Sequence, residues 1–135
     1  MELTQTNTSA TKTTTGTFIG VVDDDASILR ALQRLLRAAG FTVQTFNSGE
    51  ELLAWEQLDR IDCLVLDVHL AGISGFDVQE RLTDARRIIP TVFITAHDDA
   101  STRERARRSA FSQYLRKPFD EQSLIAAIEA AVSRG

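Results

Sequence analysis

The sequence predicts an α/β domain built on a doubly wound parallel sheet, and three observations predict it. Strand-like apolar runs alternate with stretches of helical periodicity. Four of those runs end in a polar or charged residue: Phe18-Ile19-Gly20-Val21-Val22 in Asp23-Asp24-Asp25, Cys63-Leu64-Val65-Leu66 in Asp67, Thr91-Val92-Phe93-Ile94 in Thr95, and Tyr114-Leu115-Arg116 in Lys117. In an open parallel sheet these carboxyl ends share one edge, where ligands bind. The 135 residues hold one domain with a real core and show no internal repeat.

Each element follows from its own signals. Residues 1–17 are Thr-, Ser- and Asn-rich with almost no apolar content, which predicts a flexible tail. After the first strand, Ile28, Leu29, Leu32, Leu35, Leu36 and Ala39 recur at helical spacing, and Gly40 stops the helix. Phe41 to Phe46 alternates like a half-buried strand. Ser48-Gly49-Glu50-Glu51 reads as a capping box that opens a helix through Trp55. The strand to Asp67 leads through the loop Val68 to Ser74 into a helix over 75–84. Pro90 precedes the strand to Thr95. Ser101-Thr102-Arg103-Glu104 reads as a second capping box, with a helix to Ala110. The short strand 114–116 follows, and Asp120 caps a last helix carrying Leu124, Ile125, Ile128 and Val132 on one face. Five strands and five helices in alternation predict a flavodoxin-like (βα)5 sheet with order 2-1-3-4-5 and right-handed crossovers. Its switch point falls beside Asp23, Asp24 and Asp67.

Composition narrows the function. Apolar content of 43% and charged content of 25% are ordinary for a globular domain. The net charge of −4 argues against direct nucleic-acid binding. No apolar stretch reaches the roughly 20 residues of a membrane span. The start lacks the basic and apolar regions of a signal peptide. The one cysteine, Cys63, sits in an apolar run and reads as a buried hydrophobe, which fits a reducing cytoplasm.

Clustered carboxylates repel unless a cation compensates them or one takes a proton. Mg2+ suits such a set, because it takes one or two carboxylates and keeps waters and a phosphate oxygen. Asp67 could then attack phosphorus as a nucleophile, with Lys117 neutralising the transferred group and the Thr95 hydroxyl donating to it. Ala96 leaves the entry open.

Residues 18–133 resemble the receiver domain of bacterial two-component response regulators. The matching stretches are Val21-Val22-Asp23-Asp24-Asp25, Leu66-Asp67 with Gly75-Phe76-Asp77, Ile94-Thr95-Ala96, and Tyr114-Leu115-Arg116-Lys117-Pro118-Phe119. The resemblance implies that Asp67 accepts a phosphoryl group from a histidine kinase or a phosphotransfer protein, with Mg2+ as cofactor. Asp24 would ligate the metal directly and Asp23 through a water, joined by Asp67 and the main-chain carbonyl of His69. Thr95 and Tyr114 would form the switch, and the Lys117-Pro118 bond would be cis. His69 and His97 lie at positions where the family tunes the life of the phosphoryl group, and a histidine there could make that lifetime pH-dependent. The implied protein is no enzyme beyond its own phosphorylation and dephosphorylation. Its output would run through a downstream protein target, a phosphorelay or a phosphorylation-dependent dimer. The sequence ends just after the fifth helix, so a stand-alone or truncated receiver is expected.

The sequence departs from the family in three places. Leu70-Ala71 stands where Met-Pro is usual, so the loop is expected to be more mobile. Ala110-Phe111 replaces the usual Gly-Ala, and the fourth helix is basic. Three rivals remain. Asp23-x-Asp25-x-Ser27 resembles the nucleophile motif of haloacid dehalogenase-type phosphatases, with Asp98-Asp99 as a candidate acidic pair. A flavodoxin would need a phosphate-cradling loop where three aspartates stand. A pseudo-receiver would bind partners without being phosphorylated.

Overall fold

A computed structural model describes residues 16–109 and 112–134. The chain runs β1 (Phe18–Val22), α1 (Ala26–Ala38), β2 (Thr42–Phe46), α2 (Gly49–Leu53), β3 (Cys63–Asp67), α3 (Gly75–Asp84), β4 (Thr91–Thr95), α4 (Ala100–Arg108), β5 (Ser112–Arg116) and α5 (Glu121–Arg134), with a 3-10 turn at Leu58–Arg60. All strands are parallel and their order is β2-β1-β3-β4-β5, as the sequence predicts.

The central strands β3 and β4 are buried along their whole length, because helices cover both faces of the sheet. Alternate residues therefore serve opposite cores. Cys63 and Val65 pack with Leu29, Leu32, Leu124 and Ile128 of α1 and α5. Leu64 and Leu66 pack with Leu52, Phe76, Val78 and Ala106 of α2, α3 and α4. Two cores locked to one sheet fix its carboxyl edge in space.

Several boundaries differ from the sequence reading. Thr17 is buried and its carbonyl accepts from the Thr42 N–H at 2.9 Å, so the sheet already holds the last residue of the predicted tail. Residues 1–15 of that tail, and Ala110-Phe111, lie outside the described residues. Helix α2 ends at Leu53, and Trp55 lies beyond it, edge-on to Phe18 and Phe46 at 5.9 and 5.4 Å. Ser48 caps α2 through the Glu51 N–H, but the Glu51 carboxylate reaches back to the N–H of Asn47 rather than Ser48. The predicted box at Ser101 is absent. Asp99 caps α4 instead, accepting from the Thr102 N–H at 2.8 Å, and Ser101 lies inside the first turn. A reciprocal capping box does occur at Ser74 and Asp77, at the start of α3.

Cys63 is fully buried, as predicted, and burial above all, then the neighbouring Asp62 charge, pushes its thiol up to about 12. The folded protein is expected to resist thiol reagents near pH 8, with one thiol per chain reacting after denaturation. Rapid native labelling would contradict this packing.

Candidate functional site

The carboxyl ends of β1, β3 and β5 bring Asp23, Asp24, Asp67 and Lys117 together. One carboxylate oxygen from each of the three aspartates lies within 4.8 Å of the others. Lys117 Nζ donates to Asp23 Oδ2 at 3.0 Å and to Asp67 Oδ2 at 3.1 Å. The side chains of Asp23 and Asp67 are only 1% and 8% exposed, whereas Asp24 is exposed. Asp25 stands apart as the cap of α1, accepting from the Ser27 and Ile28 N–H groups.

The electrostatics follow from this crowding. Burial first, then the Asp23 charge, raises the Asp67 pKa above the ordinary carboxylate range, against the opposing pull of the His69 N–H and Lys117. Burial alone would lower Lys117, but its bonds and charge contacts with Asp23 and Asp67 outweigh that and raise it. One ammonium thus lies against two of the three carboxylates, Asp23 and Asp67, and not against Asp24. The donor set is hard, anionic and under-compensated, which fits a small divalent cation with oxygen preference. Asp23, Asp24 and Asp67 are the residues that could hold it.

The remaining predicted residues lie on adjoining strands and turns. The His69 N–H donates to Asp67 Oδ1 at 3.0 Å. Thr95 is fully buried, and its hydroxyl accepts from the His97 N–H at 2.9 Å and donates to the His97 carbonyl at 3.3 Å. The hydroxyl is thus engaged in its own turn and not with Asp67. The His69 and His97 rings meet edge to face, with centroids 4.8 Å apart. Tyr114 is half-buried against the α3/α4 core and donates its hydroxyl to Asp98 Oδ1 at 2.9 Å. Burial, then that bond, pushes the phenol up to about 12. The Lys117-Pro118 bond is cis.

Two features escaped the sequence reading. Asp98 gathers Tyr114, Arg103 and, at 3.9 Å, Arg116, which draws its carboxyl below the usual range, through Arg103 first and then Tyr114. With Asp98 so engaged and Asp99 capping α4, neither belongs to the acidic cluster, so the phosphatase reading loses its acidic pair. The second is Gly75. A Cβ there would lie 2.4 Å from the Asp67 carbonyl oxygen, so only glycine lets α3 begin this close to β3. Gly75→Ala is expected to cost about 1–3 kcal/mol by pushing α3 off the strand that carries Asp67. An unchanged denaturation midpoint would refute this.

The chain is also similar in sequence and fold to known proteins. The sequence profile of the response regulator receiver domain matches residues 19–129. Nodulation protein W of Bradyrhizobium diazoefficiens is 40% identical over 92% of this chain and 55% of its own length. Response regulator protein TodT of Pseudomonas putida is 36% identical over 84% of this chain and 50% of its own length. The chain thus spans about half the length of these curated relatives. Among solved structures, a response regulator receiver protein from Burkholderia phymatum is 45% identical, with a TM-score of 0.73, over 87% of this chain and 95% of that one.

Proposed function

The chain belongs to the response-regulator receiver-domain family of two-component signalling, and on that premise we propose that Asp67 accepts a phosphoryl group from a phosphohistidine donor. The convergence of Asp23, Asp24, Asp67 and Lys117 at one sheet edge carries this reading.

Asp67 would supply a carboxylate oxygen to phosphorus. An O–P bond forms, the donor's P–N bond breaks, and its electron pair stays on the imidazole nitrogen, which takes a proton from solvent. Asp23, Asp24, Asp67 and the His69 main-chain carbonyl would hold Mg2+, which when bound offsets charge on the carboxylates and the phosphoryl oxygens. Lys117, already within reach of Asp67, would shift its ammonium onto a phosphoryl oxygen. The Thr95 hydroxyl would leave the His97 turn to donate to another. Tyr114 would then give up Asp98 and turn inward, changing the α4/β5 surface. His69 and His97, whose rings meet edge to face, would frame the water's approach and tune dephosphorylation. Unchanged lifetimes in His69→Ala and His97→Ala would contradict that last role.

The donor is a histidine kinase or a phosphotransfer protein. An open apolar cleft of about 470 Å³ beside Lys117, lined by Ile28, Ala31, Leu32, Pro118 and Phe119, offers it a seat. Output would pass to a downstream protein target, a phosphorylation-dependent dimer, or a domain in the part of the relatives this chain does not span. No described helix is long and apolar enough to cross a membrane, and the proposed setting is the cytoplasm. Beyond its own phosphorylation and dephosphorylation, no enzymatic activity is proposed.

The test is transfer from a radiolabelled phosphohistidine protein. Label should reach the chain with Mg2+ and not with EDTA. Equal labelling in EDTA, or none with Mg2+, would overturn the reading.

A further inference from the structure

The loop between β3 and α3 donates every second amide to a carboxylate. The His69 N–H reaches Asp67 Oδ1 at 3.0 Å, the Ala71 N–H reaches Asp24 Oδ2 at 2.9 Å, and the Ile73 N–H reaches Glu50 Oε2 at 3.4 Å. The first two acceptors belong to the acidic cluster, and the third anchors the far end of the loop to α2.

Asp24 depends on this loop more than its neighbours do. Asp23 is held by Lys117 and by the Asp25 N–H, and Asp67 by Lys117 and the His69 N–H. Asp24 is exposed, and among the described residues the Ala71 N–H is the one hydrogen-bond donor to its carboxylate. An exposed aspartate without that bond would sample several rotamers and have to be ordered on ligation.

The route of the loop is itself constrained. Gly72 has a φ of +84°, and a Cβ there would lie 2.8 Å from Glu50 Oε2. Glycine at this turn lets the chain pass close to Glu50 while the preceding amide faces Asp24.

We propose that the main-chain N–H of Ala71 is a positioning group that orients Asp24 toward the divalent cation. The inference rests on the reading that Asp23, Asp24 and Asp67 hold that cation. The bond engages Oδ2 and leaves the other carboxylate oxygen with its lone pairs for a metal. Outer hydrogen bonds of this kind typically change metal affinity by about 10- to 100-fold.

The experiment is calorimetric titration with Mg2+ alone. Wild type should bind, Ala71→Ser, which keeps the N–H, should bind equally, and Ala71→Pro, which lacks it, should bind about tenfold more weakly. Equal or tighter binding by Ala71→Pro would overturn the inference and leave the site reading standing. No binding by wild type would overturn both. If circular dichroism shows Ala71→Pro misfolded, amide hydrogen exchange decides. The Ala71 N–H should be protected in metal-free wild type and lose protection in Asp24→Ala, and exchange at the unprotected rate in wild type would overturn the proposal.

Discussion

Asp67→Asn is expected to stabilise the metal-free protein while ending phosphoryl acceptance. Asparagine keeps the shape and removes a buried charge that faces Asp23 across a shared lysine. Relief of the burial cost of that charge first, and of its repulsion by Asp23 second, should be worth about 1–2 kcal/mol, or some 4–8 °C in Tm. The pH dependence has a definite sign. The folded pKa of Asp67 is raised, so folding favours its protonated form. The stability linked to Asp67 is fully present below its ordinary value near 3.8 and is lost as pH rises through the raised folded value. The variant's advantage should therefore be absent in strong acid and grow toward neutral pH. Mg2+ should then narrow the gap, because it stabilises wild type by mass action and the variant less. Denaturation midpoints across pH, with EDTA and with Mg2+, check all of this. A variant less stable than wild type in EDTA at neutral pH would refute the repulsion.

Lys117→Met should act in the opposite direction. Methionine keeps an unbranched stem but leaves Asp23 and Asp67 without their cation. Removing one partner of a buried pair typically costs about 3–5 kcal/mol, and here proton uptake by Asp67 should hold the loss near the lower figure. The folded pKa of Lys117 is raised, so its contribution is fully present below the ordinary 10.5 and is lost only as pH rises through the higher folded value. The loss should accordingly be large at neutral pH and shrink in acid as Asp67 protonates. Combining the two changes tests the interaction itself. Asp67→Asn should recover part of the loss, with a coupling of about 1–3 kcal/mol. Simple additivity would show that Lys117 and Asp67 do not share their energies.

The sheet order and the convergence of Asp23, Asp24, Asp67 and Lys117 were legible because each signal is local. The last residue of a strand, or one of the two just after it, carries the functional group. The capping of α4 was misread because Ser101 and Glu104 fit a spacing rule that the nearby Asp99 carboxylate pre-empts. The true box at Ser74 was missed because Asp77 replaces the usual Glu or Gln. The Tyr114–Asp98 bond joins β5 to the loop before α4 across 16 residues, and no periodicity reports it. The Ala71–Asp24 bond is less legible still. Its donor is a main-chain N–H, which almost every residue has, and its partner lies 47 positions away. The expected mobility of that loop rested on the missing proline, yet the same absence supplies the amide that ties Ala71 to Asp24.

The most direct test of the central claim is intact mass after incubation with acetyl phosphate and Mg2+, on wild type and on Asp67→Ala. One added phosphoryl group on wild type, absent with EDTA and absent from Asp67→Ala, is the predicted result. An adduct that survives Asp67→Ala would move the nucleophile to Asp23–Asp25 and contradict the account, as would a wild type that takes up no phosphoryl group from acetyl phosphate or from a phosphohistidine donor.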